Sequence, residues 1–489
     1  MTLSLQSVSE WILLFVLYLV PAFESAERTV WKAFHDAGLM ATKKGQYDAA
    51  NRLFQTAAKV AEGIKDKGER QANSINSLAW LCNLQGRNAE GEVFAKRALA
   101  LDERRVGPFH GDLSRDLNTL ASIYENQGKY AAAEQIYRRQ ILIKESGGES
   151  ETKNFAAVLN NLAVVYKQQS KFTEAETVLK RALLVYDKTV GPDHPDMAKS
   201  LNNLANVYFT QGKYVEAKPL YQRSLAINEK AFGSDHPEFA LSLNNLANIH
   251  QKQGNNSDAE PLYKHALAIR EKSFGAESPH VATTLNNLGN VYRSQAKFAE
   301  AEPLYKRALA IREKTQGADQ SSAAMLLDNL GRVYLAQKRY AEAEAFCRRG
   351  IRIREKAGAA ESPVLAGSLD HLAEIYYGQG QRAKGDAAFS RARAIHRQTA
   401  KTGNSLSAEP INERGNQLFK QGQYCEAASL YESAWNLYEI SKGPDHPYVA
   451  QAIENYVAAL NKLDRHAIAE ALAAQAKKIR DKTAASVTP

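Results

Sequence analysis

The sequence predicts an all-α protein, an α-solenoid of stacked antiparallel helix pairs, and three observations carry that expectation. Leu117, Leu159, Leu201, Leu243, Leu285, Leu327 and Leu369 follow one another at a constant interval of 42 residues, and Ile75, Ile411 and Ile453 extend the series in both directions. A period of roughly 20 to 50 residues sustained this long marks a stack of units in which each touches only its neighbours. Within one period the apolar residues fall into two stripes at helical spacing. Glycine and proline punctuate the period where a helix must end and another begin.

Residues 1–33 stand outside the repeat. Trp11–Val20 is an apolar run too short to span a bilayer comfortably, with the length of a signal-peptide apolar core. Val20, Pro21 and Ala22 offer a small-residue cleavage site, yet Glu10 rather than a basic residue precedes the run. Arg28 and Lys32 follow it, the charge bias of a segment whose C-terminal side stays in the cytoplasm. The expectation is a cytoplasmic repeat domain with Trp11–Val20 as a membrane tether. The alternative is an exported protein whose Trp11–Val20 is a cleaved signal.

Residues 34–398 read as the main array. In the unit 201–242, Leu201, Leu204, Ala205 and Tyr208 form one apolar stripe, and Gly212 follows where positive φ is needed. Tyr214, Ala217, Leu220, Tyr221, Ser224 and Leu225 form the second stripe. Small residues at 205, 217 and 224 let the two helices approach, so each unit is expected to be an antiparallel hairpin. Gly233-Ser-Asp-His-Pro237 ends the unit and recurs at 191–195 and 443–447, with Gly275–Pro279 as a variant. Proline suits the first turn of the next helix, where its missing N–H costs nothing. His194, His236 and His446 each sit alone in a different unit, so a capping role is expected in place of metal binding. His250 stands where other units have tyrosine, as a core substitution, and Pro219, Pro261 and Pro303 predict mild bends in second helices.

The ends depart from the pattern. The first unit, with Phe34, Gly45, Tyr47, Ala50 and Phe54, runs one residue out of register. Residues 399–410, TAKTGNSLSAEP, are polar and turn-rich, and predict a loosened joint. Residues 411–480 hold the final units and a cap, in which Ile453, Tyr456, Ala469 and Leu472 lack the usual inter-helix glycine and tyrosine. Residues 481–489 are a tail.

A length of 489 residues would ordinarily suggest about three compact domains, but one continuous stack absorbs nearly the whole chain. The net charge of +9 is dispersed over every unit, as in KRALAIREK at 306–314, which marks solvated outer faces and argues against a nucleic-acid footprint. Cys82, Cys347 and Cys425 are odd in number and widely spaced, and read as small buried hydrophobes. The sequence holds no phosphate-cradling glycine loop, HExxH, CxxC or nucleophile motif, so no enzyme, cofactor or metal is expected. Glu174, Glu216 and Glu300 fall at repeat-equivalent surface positions.

The spacing Leu201, Leu204, Ala205, Tyr208, Gly212, Tyr214, Ala217, Tyr221, Ser224 resembles the tetratricopeptide repeat. With LNNLA opening the first helix and GPDHP closing the unit, its 42-residue form resembles the repeat region of kinesin light chains and their prokaryotic relatives over residues 34–480. The resemblance implies a right-handed superhelix whose first helices line a concave groove. Carried onto this sequence, the groove would receive Asn160, Asn202, Asn206, Asn244, Asn248, Asn286 and Asn290, with Lys167, Lys252, Arg293 and Arg332 on the same helix face. A second row, Asn161, Asn203, Asn245, Asn287 and Asn329, is expected to bond between neighbouring units.

Asparagine both donates and accepts, so a row can clamp an extended peptide backbone, and the cations would favour acidic groups. The kinesin light chain resemblance implies acidic, aromatic-containing peptides as ligands. The bland alternative is that these residues keep an inward face soluble. The leading expectation is a non-catalytic scaffold or adaptor for other proteins, ahead of a membrane-tethered or exported assembly factor and of a nucleic-acid-binding solenoid. Family resemblance also implies a motor heavy chain as partner, but residues 1–33 lack the sustained heptads of the coiled coil that would bind it.

Overall fold

The computed structural model describes residues 23–64, 68–317, 321–358, 362–402 and 408–485. Trp11–Val20, on which the tether and signal expectations fall, lies outside the described residues, as do 403–407 of the expected joint and the last four residues of the tail. All elements among the described residues are helical. The chain divides into two compact units, one ending at Gly233 and the other beginning at Ser234.

The first unit holds α1 (Phe23–Lys43), α2 (Tyr47–Glu62), α3 (Glu69–Leu84), α4 (Asn88–Val106), α5 (Ser114–Asn126), α6 (Tyr130–Ser146), α7 (Lys153–Gln168), α8 (Phe172–Thr189), α9 (Pro195–Thr210) and α10 (Tyr214–Phe232). Each odd-numbered helix packs along the even-numbered helix after it, giving the expected hairpins. Ala205, Ala217 and Ser224 are fully buried where α9 and α10 approach. Leu204 reaches onto the preceding pair, among Val165, Tyr166 and Leu179. First helices of consecutive pairs touch directly, α3 with α5 and α7 with α9, whereas consecutive second helices make no comparable contact. Within this unit the stack therefore bends towards its first helices, which makes their outer face the concave one.

The second unit holds α11 (Pro237–Lys252), α12 (Asn256–Phe274), α13 (Pro279–Ser294), α14 (Phe298–Gln316), α15 (Ser321–Ala336), α16 (Tyr340–Lys356), α17 (Pro363–Gly378), α18 (Arg382–Thr402), α19 (Ala408–Lys420), α20 (Tyr424–Lys442), α21 (Pro447–Lys462) and α22 (His466–Ala485). The same contacts recur between α11 and α13, α13 and α15, and α15 and α17. After α18 the order changes: α18 packs against α20 in place of α19. One apolar core runs from Val281 to Ile395 and another from Ala408 to Ile479.

Local chemistry explains the helix ends. His194, His236 and His446 each accept a backbone N–H at Nδ1, 3.2 Å from the residue two positions on, with proline in the first turn. These are side-chain N-caps. At the turn inside each hairpin, Gly45, Gly86, Gly128, Gly212, Gly254, Gly380 and Gly422 take positive φ. At the same repeat position Ser170, Ala296, Lys338 and Asp464 are held at φ between 57° and 60°, a strained region for residues with a Cβ. Pro219, Pro261 and Pro303 sit inside α10, α12 and α14. Cys82 and Cys347 are buried, and burial pushes the Cys347 thiol up to about 12; the Cys425 side chain lies outside the described residues.

Candidate functional site

The first-helix face is built from one position repeated. In α9, Asn206 is half-buried and its Oδ1 accepts from the Tyr221 hydroxyl of α10 at 2.6 Å. In the second unit Asn248 accepts from Tyr263 at 2.5 Å, Asn290 from Tyr305 at 2.7 Å and Asn416 from Tyr431 at 2.9 Å. Each tyrosine is buried at its ring, and burial raises its pKa, so the hydroxyl keeps its proton and donates. With Oδ1 engaged, Nδ2 of Asn206, Asn248 and Asn290 remains a free donor among the described residues. Asn416 belongs to the row, at the same 42-residue register as Asn206, but was not among the expected residues.

The row four residues earlier lies elsewhere. Asn160, Asn202, Asn244 and Asn286 are buried, at 2 to 7 % exposure, so their side chains sit beneath the face the sequence put them on. The cause is the direct contact between first helices, which covers this position with the next pair. Asn160 Nδ2 donates to Ser200 Oγ at 2.6 Å, and Asn286 Oδ1 accepts from Asn329 Nδ2 at 2.9 Å. Asn287 Nδ2 reaches Asn244 Oδ1 at 3.3 Å and Asn248 Oδ1 at 3.4 Å. Asn287 and Asn329 thus bond between neighbouring pairs as expected of their row, and their acceptors include the row assigned to the groove.

The four cations divide by environment. In the first unit Lys167 is half-buried, and desolvation lowers the pKa of its ammonium. In the second unit Lys252 is exposed, while Arg293 and Arg332 are half-buried and both press on Tyr305, opposing the rise that burial imposes on its hydroxyl. Arg332 also faces Asp328, which Arg354 holds at 2.6 Å. Beyond them lie residues the sequence reading missed. His371 follows Asn329 in the second asparagine row, and burial together with Arg332, Arg465 and Arg293 holds its pKa well below the usual value. Glu374 occupies the Asn206 position in α17 and pairs with Arg465 at 2.7 Å. Only the repeat register could have pointed to these two.

A polar seam between second helices and the first helices that follow ties pairs together. Glu176, Glu260 and Glu302 of the second helices accept from Tyr208, Tyr292 and Tyr334 of the next pair at 2.9, 3.1 and 2.9 Å. Among the described residues no three His, Cys, Asp or Glu side chains gather as a metal site, and no helix is long and apolar enough to cross a membrane.

The tetratricopeptide repeat model matches residues 70–141, 154–230, 196–272, 238–314, 315–400 and 406–482. In fold the chain is similar to the apo form of the quorum sensor NprR from B. thuringiensis, with 15% identity over 74% of this chain and 98% of that one, TM-score 0.51. It is also similar to a Rap protein complexed with Competence and Sporulation Factor, with 14% identity over 76% and 99% and a TM-score of 0.50. The protein BtubC (BKLC) from P. vanneervenii shares 23% identity over 49% of this chain and 92% of that one, TM-score 0.40. No curated protein matches the chain. With repeat matches falling on successive helix pairs along most of its length, the chain belongs to the tetratricopeptide-repeat family of protein-binding scaffolds.

Proposed function

We propose that the protein is a non-catalytic adaptor whose first-helix face takes up extended peptide segments of partner proteins. The observation that carries this is the tyrosine-pinned asparagine row. A fixed Oδ1 leaves each amide nitrogen aimed as a donor, and donors repeated along a stack suit the carbonyls of an extended chain. In the second unit Lys252, Arg293 and Arg332 accompany Asn248 and Asn290, so acidic side chains on the peptide are favoured there. In the first unit Asn206 and Lys167 play the corresponding parts. The buried asparagines act beneath this face, fixing the spacing between pairs. The Rap protein of similar fold, captured with Competence and Sporulation Factor, supports a binding role by analogy of fold alone.

Affinity capture from the native host's lysate tests the proposal. The unaltered chain is compared with one carrying Asn206→Ala, Asn248→Ala, Asn290→Ala and Arg293→Ala, with circular dichroism verifying that both are folded. Proteins retained only by the unaltered chain, and then bound as isolated peptides, are the expected result. Identical captures would show that this face merely stays wetted and would remove the groove from consideration.

A further inference from the structure

In a repeat stack each pair touches only the pairs next to it, and two contacts in the second unit depart from that. Arg465 Nη2 lies 2.7 Å from Glu374 Oε2, with the two side chains only 17% and 18% exposed, and α17 touches α22 although α19 and α20 intervene in sequence. At the other end of the same unit, a Cβ placed on Gly254 would sit 3.6 Å from Gln423 Nε2, so the α11–α12 turn meets the α19–α20 turn. The second unit therefore holds two approaches between helix pairs that are not neighbours in the stack. Arg465 directly follows Asp464, which takes the left-handed turn between α21 and α22 at φ 57°. Its partner Glu374 stands in the register of Asn206, Asn248 and Asn290. Tyr456 is buried nearby, and its hydroxyl is held well above the usual range by burial and by the charge of Glu432, with Arg465 opposing them.

We propose that the α21–α22 turn is a built-in latch, in which Arg465 occupies the first-helix face at α17 and closes the C-terminal part of the second unit. The ion pair with Glu374 fastens the turn to that face, with Asp370 of the same helix adding its charge, and it is shielded enough from water to matter: losing either partner strands a half-buried charge. A segment lying along the face, on the peptide-binding reading given above, reaches α17 only by displacing Arg465. Binding and latch opening are then coupled, and a partner that brings its own cation to Glu374 opens the latch most readily.

Hydrogen–deuterium exchange on the full chain, without any peptide, tests this. Arg465→Gln and Glu374→Gln are each compared with the unaltered protein, together with the charge-swapped Arg465→Glu, Glu374→Arg double variant. Each single change is expected to speed exchange in the 460–470 turn and in the C-terminal half of α17 on the order of tenfold, about 1.4 kcal/mol, leaving α11 and α13 unaffected. The swapped variant is expected to recover most of the protection. Exchange equal to the unaltered chain would overturn the latch, and so would loosening spread evenly through α11–α22, which would mark Arg465 as ordinary core support. Glu374→Gln keeps the test decisive if the swap does not fold, since it preserves shape and leaves the turn untouched. Because no ligand enters, identical captures in the groove experiment would leave a positive exchange result standing.

Discussion

Tyr263 donates its hydroxyl hydrogen to Asn248 Oδ1 at 2.5 Å, so a second helix sets the direction in which a first helix presents its amide. The same bond joins Tyr305 to Asn290 and Tyr221 to Asn206, each within its own helix pair. The ring is core and the oxygen is at the face. A single side chain thereby links packing to presentation.

Tyr263→Phe keeps the packing and removes the donor. The expected loss is about 1 kcal/mol in urea unfolding, since Asn248 Oδ1 is half-buried and partly rehydrates. Peptide affinity should fall more than stability does, because the amide is no longer aimed. A variant with unchanged affinity would show that the orientation is unimportant.

Leu204 is 4% exposed and packs between two pairs. Replacing it with alanine is expected to cost about 2–5 kcal/mol by opening a cavity. Lys252→Ala, at an exposed position, should stay within about 0.5 kcal/mol. Paired denaturation curves on the two variants measure the contrast directly.

The left-handed turn residues give a stabilising test. Ala296 is held at φ 57°, while glycines at the same repeat position meet no atom that a Cβ would strike, save Gly254 near Gln423. Ala296→Gly relieves about 1–2 kcal/mol of backbone strain and loses part of that to the freer unfolded chain. A net gain of roughly 0.5–1 kcal/mol is expected in thermal unfolding.

The first unit carries a buried acid with a pH signature. Asp116 is fully buried beside Asp102, with Arg115 bridging the two carboxylates at 3.0 Å each and Arg105 holding Asp102 at 2.9 Å. Desolvation outweighs Arg115 and pushes the Asp116 carboxyl up to about 7. Its folded pKa lies above the unfolded one, so between about pH 4 and 7 the folded state binds the extra proton, and stability falls as pH rises through that window. Asp116→Asn should therefore be more stable than the unaltered chain above pH 7 and should flatten the pH profile between 4 and 7. Melting curves at pH 5 and pH 8 decide it: an unchanged slope would mean Asp116 is ionised throughout.

Much of this molecule is written in its repeat. The leucine series demands helix pairs, and the His-Pro pairs at 194–195, 236–237 and 446–447 carry the caps. The face was harder to read. Asn202 and Asn206 lie one turn apart on the same helix side, and periodicity cannot distinguish them; only the approach of neighbouring first helices buries one and leaves the other in reach of water. The tyrosine partners were visible as core positions, yet their hydroxyl bonds depend on how deeply each ring is seated. The pair Arg465 and Glu374 was illegible for a different reason. It joins helix pairs that are not neighbours, and nothing in a unit-by-unit pattern encodes a meeting between distant units.

That non-neighbour meeting alters how the second unit should assemble over time. Stacking one hairpin on the next closes short loops and proceeds quickly, whereas bringing α22 to α17 waits until the intervening helices are in place. A chain that would otherwise zip up unit by unit acquires a final, slower step. Fraying from the C-terminal end, the usual way an open stack loses its last repeat, must begin by undoing that same step.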